Sequence, residues 1–177
     1  MNTSLASWIV SKVTDMYGIF RYAAKFEGAG VDQWITSSVV TIAECFQGVA
    51  LMNANLANWD VSKVTSMRAA FAHAAMFEGA GLSTWITSAV TSLHWTFYKA
   101  AMFEGAGLGK WDVSKVNDMH WTFCDAAVLV GTGLDKWDTS AVTSLRNTFN
   151  GAGKMNTNFA SWIVSKVVDM YGTFYNA

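Results

Sequence analysis

The chain has 177 residues, 52% of them apolar and 14% charged, with a formal net charge of −1 and no proline. That much apolar content can bury a continuous core, while near-neutrality gives no general attraction to nucleic acid or anionic lipid. No apolar run approaches the roughly 18 residues of a membrane-spanning helix, so direct membrane insertion is not expected.

Residues 1 to 7, M-N-T-S-L-A-S, match 155 to 161, M-N-T-N-F-A-S, so the sequence opens in mid-repeat. The phase marker is Trp8, which returns as Trp34, Trp59, Trp85, Trp111, Trp137 and Trp162 at spacings of 26, 25, 26, 26, 26 and 25 residues. A fixed period of this size marks a repeat array. Coils 1 to 7 begin at these tryptophans, and positions within a coil are given as offsets from its tryptophan. Offset 3 is always serine, offset 5 always valine, and offset 12 always phenylalanine, from Phe20 through Phe97 to Phe174. Columns filled identically in every coil are positions that each coil needs for packing on the next.

Within a coil, offset 7 is Asp15, Thr41, Ser66, Ser92, Asp118, Ser144 or Asp169, side chains that cap the first turn of a helix. Apolar residues then fall at i, i+4, i+7 and i+10, as in Met67, Phe71, Ala74 and Phe77, which places them on one helical face. Gly28, Gly79, Gly105 and Gly131 follow where such a helix would stop. Coils 2 and 6 are one residue shorter, and M-N-A-N-L from Met52 or M-N-T-N-F from Met155 replaces the F-E-G-A-G-L type of exit, so the deletion falls in a turn. Short K-V-T and G-L stretches flank the helix and can pair only with their counterparts in neighbouring coils. At about 4.8 Å per coil the body would be on the order of 30 Å long. The expected fold is therefore an α/β repeat: a right-handed, leucine-rich-repeat-like solenoid of about seven coils, each a short helix plus very short parallel strands, with residues 1–177 as one array.

Odd coils carry V-S-K-V followed by Met16, Met67, Met119 or Met170, and even coils carry T-S-S-V or T-S-A-V followed by Ile42, Leu93 or Leu145, so the duplicated unit is a pair. Residues 1 to 23 and 155 to 177 agree at 17 of 23 positions, and Ala177 stops in mid-repeat without a polar cap, so a longer array cut at both ends is expected. Cys45 and Cys124 lie three coils apart, too far for a disulfide, and are expected as free thiols. One glycosylation sequon occurs, at Asn2.

Chemistry is sparse. Asp60, Asp112 and Asp138 recur at offset 1 as a turn or capping column, and the serine column lacks a histidine at matching offsets that could act as its base. The G-A-G exits lack the lysine-serine sequel of a phosphate loop. No catalytic residue, cofactor or metal site is expected. The exception to the array's own pattern is offsets 9 and 10, where coils 4 and 5 both read H-W-T-F. On a helical reading His94, Trp95, His120 and Trp121 lie side by side, flanked by Arg68 and Arg146, and clustered aromatics with arginine are what binding hot spots favour.

The W-D-V-S-K-V runs at Trp59 and Trp111, the F-x-x-A-x-x-F pattern of Phe71, Ala74 and Phe77, and the M-N-A-N-L exit at Met52 resemble the BspA-type leucine-rich-repeat surface proteins, and the resemblance spans the chain. It implies a leucine-rich-repeat-like fold, display at a cell surface or outside the cell, and a role in adhesion or protein binding. Glycine-rich exits, and isoleucine instead of aspartate after Trp8, Trp34, Trp85 and Trp162, depart from that pattern. Two functions follow as expectations: a non-catalytic module that binds protein or glycan, and alternatively a scaffold built by end-to-end continuation or self-association of the array.

Overall fold

The structure is a computed structural model that describes residues 3–177; Met1 and Asn2, and with Asn2 the sequon, lie outside the described residues. The segment from offset 8 to offset 15 decides the architecture. In coil 3 the N–H groups of Ala70, Ala72 and Ala74 donate to carbonyls three residues back, at Met67, Ala69 and Phe71. The intervening N–H groups leave the coil altogether: Met67, Ala69, Phe71 and His73 donate to the carbonyls of Ser92, His94, Thr96 and Tyr98 in coil 4. Every junction repeats these four rungs, at 2.7 to 3.3 Å, and adds a fifth of opposite sense at offset 6, such as Thr65 N–H to the Val40 carbonyl. Each coil is thus a ribbon of linked turns in which alternate residues bond inward to their own coil and onward to the next.

Backbone handedness explains why these turns do not merge into a helix. Offset 10 has positive φ in all seven coils (Gly18, Glu44, Ala69, Trp95, Trp121, Asn147, Gly172), and so does offset 14 (Tyr22, Gly48, His73, Lys99, Asp125, Gly151, Asn176). A bond from residue i+3 back to residue i with positive φ at i+2 is the type II turn arrangement, and it occurs at offsets 8 to 11 and again at 12 to 15. A left-handed residue every fourth position costs a right-handed helix about 1–2 kcal/mol each time and breaks its hydrogen-bond ladder.

The expected helix-plus-strand solenoid of leucine-rich-repeat type is therefore not what forms. Among the described residues there is no α-helix, and the junctions are isolated parallel bridges, Asp15–Thr41, Thr41–Ser66, Ser66–Ser92, Ser92–Asp118, Asp118–Ser144 and Ser144–Asp169, rather than strands of a sheet. Spacing the apolar side chains by four residues is what two linked turns produce as well as what a helical face produces. Residues at offset 7 do accept from the N–H two positions on, as in Asp15 to Tyr17 and Asp118 to His120, but they open a turn and not a helix. The helical conformation that occurs is four single 3-10 turns, Val31–Gln33, Leu82–Thr84, Leu108–Lys110 and Leu134–Lys136. These sit in the exits of longer coils, each behind a glycine with φ between 86 and 90°. At Gly81 a Cβ would lie 2.2 Å from the Ala57 nitrogen, so the coils approach backbone to backbone. The shorter coils 2 and 6 make the same exit with an asparagine, whose side chain accepts from Ala57 N–H at Asn55 and from Ala160 N–H at Asn158.

The core is a set of continuous columns. Phe46, Phe71, Phe97, Phe123 and Phe149 are completely buried, with successive rings 5.6 Å apart and within 15° of parallel. Trp34, Trp59, Trp85, Trp111 and Trp137 are buried as well, with Trp34 stacked on Trp59 and Trp85 on Trp111, and each offset-0 indole N–H from Trp34 to Trp162 donates to a carbonyl 28 or 29 residues earlier in the chain at 2.7 to 3.0 Å. Tryptophan suits this column because it supplies both apolar area and a second donor for a carbonyl that already accepts one backbone N–H, as Val31 accepts from the Trp34 N–H and the Trp59 indole. A threonine ladder at offset 11 does the same: the Thr122 hydroxyl bonds the carbonyls of Leu93 in the preceding coil and Met119 in its own, as do Thr96, Thr148 and Thr173 at theirs. The side-chain hydroxyls that tie the core are thus threonine's rather than those of the offset-3 serines.

Candidate aromatic and imidazole face

The turn ribbon sets what offsets 9 and 10 can display. They are the two central residues of a type II turn, so their side chains leave the core on the outer edge of each coil. Successive coils bring His94 over His120, with ring centroids 5.0 Å apart and planes 10° from parallel. Trp95 packs beside His94 at 5.1 Å and meets Trp121 edge-on at 6.5 Å, while Trp121 lies 6.1 Å from His120. All four side chains are half-buried. The two tryptophans sit at φ +59°, at an offset filled elsewhere by Gly18, Glu44, Ala69, Asn147 and Gly172. A bulky residue there carries about 1–2 kcal/mol of backbone strain that glycine avoids.

Tyr98 completes the cluster, 5.8 Å from Trp95 and 5.6 Å from Trp121, with His73 edge-on to it at 5.0 Å and Lys99 Nζ over its ring at 5.1 Å. Sequence reasoning missed Tyr98 because a helix from the cap would have aimed it elsewhere. The signal was the three-residue step from Trp95, which a turn closes: Tyr98 N–H donates to the Trp95 carbonyl at 3.1 Å.

The flanking arginines are held differently. Arg68 hydrogen-bonds Glu44, and Arg21 lies 3.0 Å from the other oxygen of that buried carboxylate, so the glutamate is clamped between two guanidiniums. Arg146 reaches Asp169 at 3.4 Å and stacks on Tyr171 at 4.5 Å. His94, Trp95, His120 and Trp121 are therefore brought together, with Arg68 and Arg146 bounding the stripe and already engaged.

Burial is the main cause that lowers the pKa of both His94 and His120, with Asp118 acting in the opposite direction on each. His94 Nδ1 is 3.9 Å from the Asp118 carboxylate, which also accepts the His120 backbone N–H. The face is accordingly aromatic and weakly charged at neutral pH and gains positive charge in acid. Trp95 Nε1 and His120 Nε2 are shielded from solvent and lack a hydrogen-bond partner, so the cluster keeps polar atoms that its own packing does not satisfy.

Other reactive groups have structural surroundings. Asp60, Asp112 and Asp138 have their pKa lowered first by the side-chain hydroxyl and then by the backbone N–H of Ser62, Ser114 and Ser140, and by accepting that N–H they close the turn at the start of the coil. Cys45 and Cys124 are buried free thiols, and burial raises both, Cys124 to about 12. Among the described residues no group of three histidine, cysteine or acidic side chains is placed to hold a metal ion, and no helix is long and apolar enough to cross a membrane.

Comparison with known families places this arrangement. The family described as "Mycoplasma protein of unknown function, DUF285" matches residues 1–106 and again 91–177. The chain belongs to the DUF285 family. Two overlapping matches along one chain are what a repeat protein gives, and the DUF285 period here is the 25- or 26-residue tryptophan repeat. No curated protein and no solved structure matches the chain. Membership in DUF285 supports the repeat character of the resemblance drawn from the sequence, and the narrower BspA-type assignment is not part of that match.

Proposed function

We propose that this DUF285 chain is a non-catalytic binding module of a repeat protein displayed at the cell surface or outside the cell, which holds protein or glycan on the face of His94, Trp95, Tyr98, His120 and Trp121. The observation that carries the reading is the placement of two tryptophans at left-handed offset-10 positions, an offset that coil 3 fills with Ala69. Strain kept at a bulky, half-buried aromatic is accounted for by what the side chain contacts outside the coil. Stacked indole, phenol and imidazole rings suit the apolar faces of sugar rings and the aromatic or cationic side chains of a protein partner. Surface display rests on the resemblance of the W-D-V-S-K-V and M-N-A-N-L motifs to BspA-type proteins.

The test is a binding screen on immobilised oligosaccharides and folded extracellular protein domains, run with the parent chain and with Trp95→Ala plus Trp121→Ala. The double variant should weaken the hits by more than about 2 kcal/mol, roughly 30-fold in Kd. Its unfolding midpoint should stay close to that of the parent, because alanine is native at this offset in coil 3. Unchanged binding with a large fall in the midpoint would show that the tryptophans only cover the ridge between coils.

A further inference from the structure

We propose that the partner is a folded protein rather than a glycan, a step that rests on the ring cluster being the binding site, and that the contact reaches beyond the rings to Arg68, Arg146, Met76 and Met102. Residue types are sorted by position. Offsets 9, 10, 13 and 14 are the central positions of the two linked turns of each coil. All five tyrosines, all three arginines, all three histidines and both tryptophans outside the offset-0 column fall at these four offsets. Of the nine lysines only Lys99 does, and of the thirteen acidic residues only Glu44 and Asp125. A need for solubility alone would treat arginine and lysine alike. Protein interfaces separate them, being enriched in tyrosine, tryptophan and arginine and depleted in lysine, glutamate and aspartate. Arginine's planar fork matches a carboxylate in two places, which the ammonium of lysine cannot do.

What surrounds the rings fits a protein patch. Three residues on from His73 and Lys99, offset 17 is Met76 in coil 3 and Met102 in coil 4, with Leu51 at the same offset in coil 2, and all three are exposed. Three adjacent coils thus show solvent an apolar stripe. Leucine and methionine have little to offer a sugar hydroxyl, whereas methionine adapts to the irregular relief of a protein surface. Along the stack Arg68 and Arg146 stand at the two ends of the ring cluster, three junctions or about 14 Å apart. Each holds one carboxylate through Nη1, Arg68 that of Glu44 and Arg146 that of Asp169. Their other nitrogens make no hydrogen bond among the described residues, on side chains 43 and 41% exposed. The complementary patch is therefore apolar, with a carboxylate toward each end. An aromatic centre with arginine beside it is where binding energy concentrates in a protein contact.

The probes are an array of immobilised oligosaccharides and a yeast-displayed library of one small folded domain with a randomised surface, both offered to the 177-residue chain. Domains selected from the library should lose about tenfold or more in affinity with Trp95→Ala plus Trp121→Ala, with Met76→Ser plus Met102→Ser, and with Arg146→Gln. Their selected surfaces should be apolar with acidic residues at the margin, and the oligosaccharides should not bind. Met76 and Met102 are exposed, so unfolding midpoints of the serine variant should match the parent's and exclude misfolding as the cause. Oligosaccharide binding that is lost with the tryptophan pair but unchanged by the methionine pair and Arg146→Gln overturns the protein partner and leaves the ring cluster as a site. Selected domains that respond to the tryptophan pair alone overturn the wider contact. Domains indifferent to the tryptophan pair overturn the proposal together with the site it rests on, and so does a library that yields no binder at all.

Discussion

Lys99 is exposed, holds φ at +56° and donates its N–H to the Cys124 carbonyl of the next coil. Replacing it with alanine and, separately, with glycine removes the same contact with Tyr98, so the difference between the variants isolates the backbone. In a left-handed turn alanine pays about 1–2 kcal/mol that glycine does not, and glycine returns about 0.4–1 kcal/mol through its freer unfolded chain. Lys99→Gly should therefore be more stable than Lys99→Ala by about 0.5–1 kcal/mol, a Tm difference of roughly 1–4 °C for a chain of this size. In a helix the order reverses, with alanine ahead by about 1 kcal/mol. Urea titration followed by tryptophan fluorescence reads the two midpoints. An alanine variant more stable than the glycine variant would refute the turn-ribbon account.

Phe97→Ala should cost about 3–5 kcal/mol, since its ring is fully buried between Phe71 and Phe123 and 4.0 Å from Phe103. Phe174→Ala, in the same column but 48% exposed, should cost less than about half as much, and equal losses in a urea titration would contradict the stacking. Stability should also fall in acid in two stages. His94 and His120 have lowered pKa values in the folded chain, so the unfolded chain takes up protons first and stability drops as the pH falls below the ordinary imidazole value near 6.5. Asp60 and Asp112, lowered by the serine hydrogen bonds, contribute stability above the ordinary carboxylate value near 3.9 that is lost as pH falls through their folded values. Replacing His94 and His120 with glutamine should shrink the first stage of a midpoint-versus-pH curve to what His73, also lowered by burial, contributes, and leave the second.

Much of the core could be read from the sequence. The tryptophan, valine and phenylalanine columns at offsets 0, 5 and 12 point inward through the central coils, and the one-residue deletions fall in exit turns. The helix was misread because Met67, Phe71 and Ala74 recur at steps of four and three, a spacing that linked turns share. The distinguishing signal was glycine at fixed offsets inside the supposed helix: Gly18 and Gly172 at offset 10, Gly48 and Gly151 at offset 14, positions where a repeated glycine points to positive φ. The histidine and tryptophan pairs were legible as a departure from the repeat, whereas the capture of Arg68 by Glu44 was not, since it depends on offset 9 of one coil facing offset 10 of the coil before.

The central claim is that the chain's N–H groups alternate between their own coil and the next. Scalar couplings across hydrogen bonds, measured by NMR on the isotope-labelled chain, name the acceptor of each donor. For Phe97 the account predicts a coupling to the Thr122 carbonyl, 2.9 Å away in coil 5. A coupling from Phe97 N–H to the Leu93 carbonyl, four residues back, would contradict it and restore a helix.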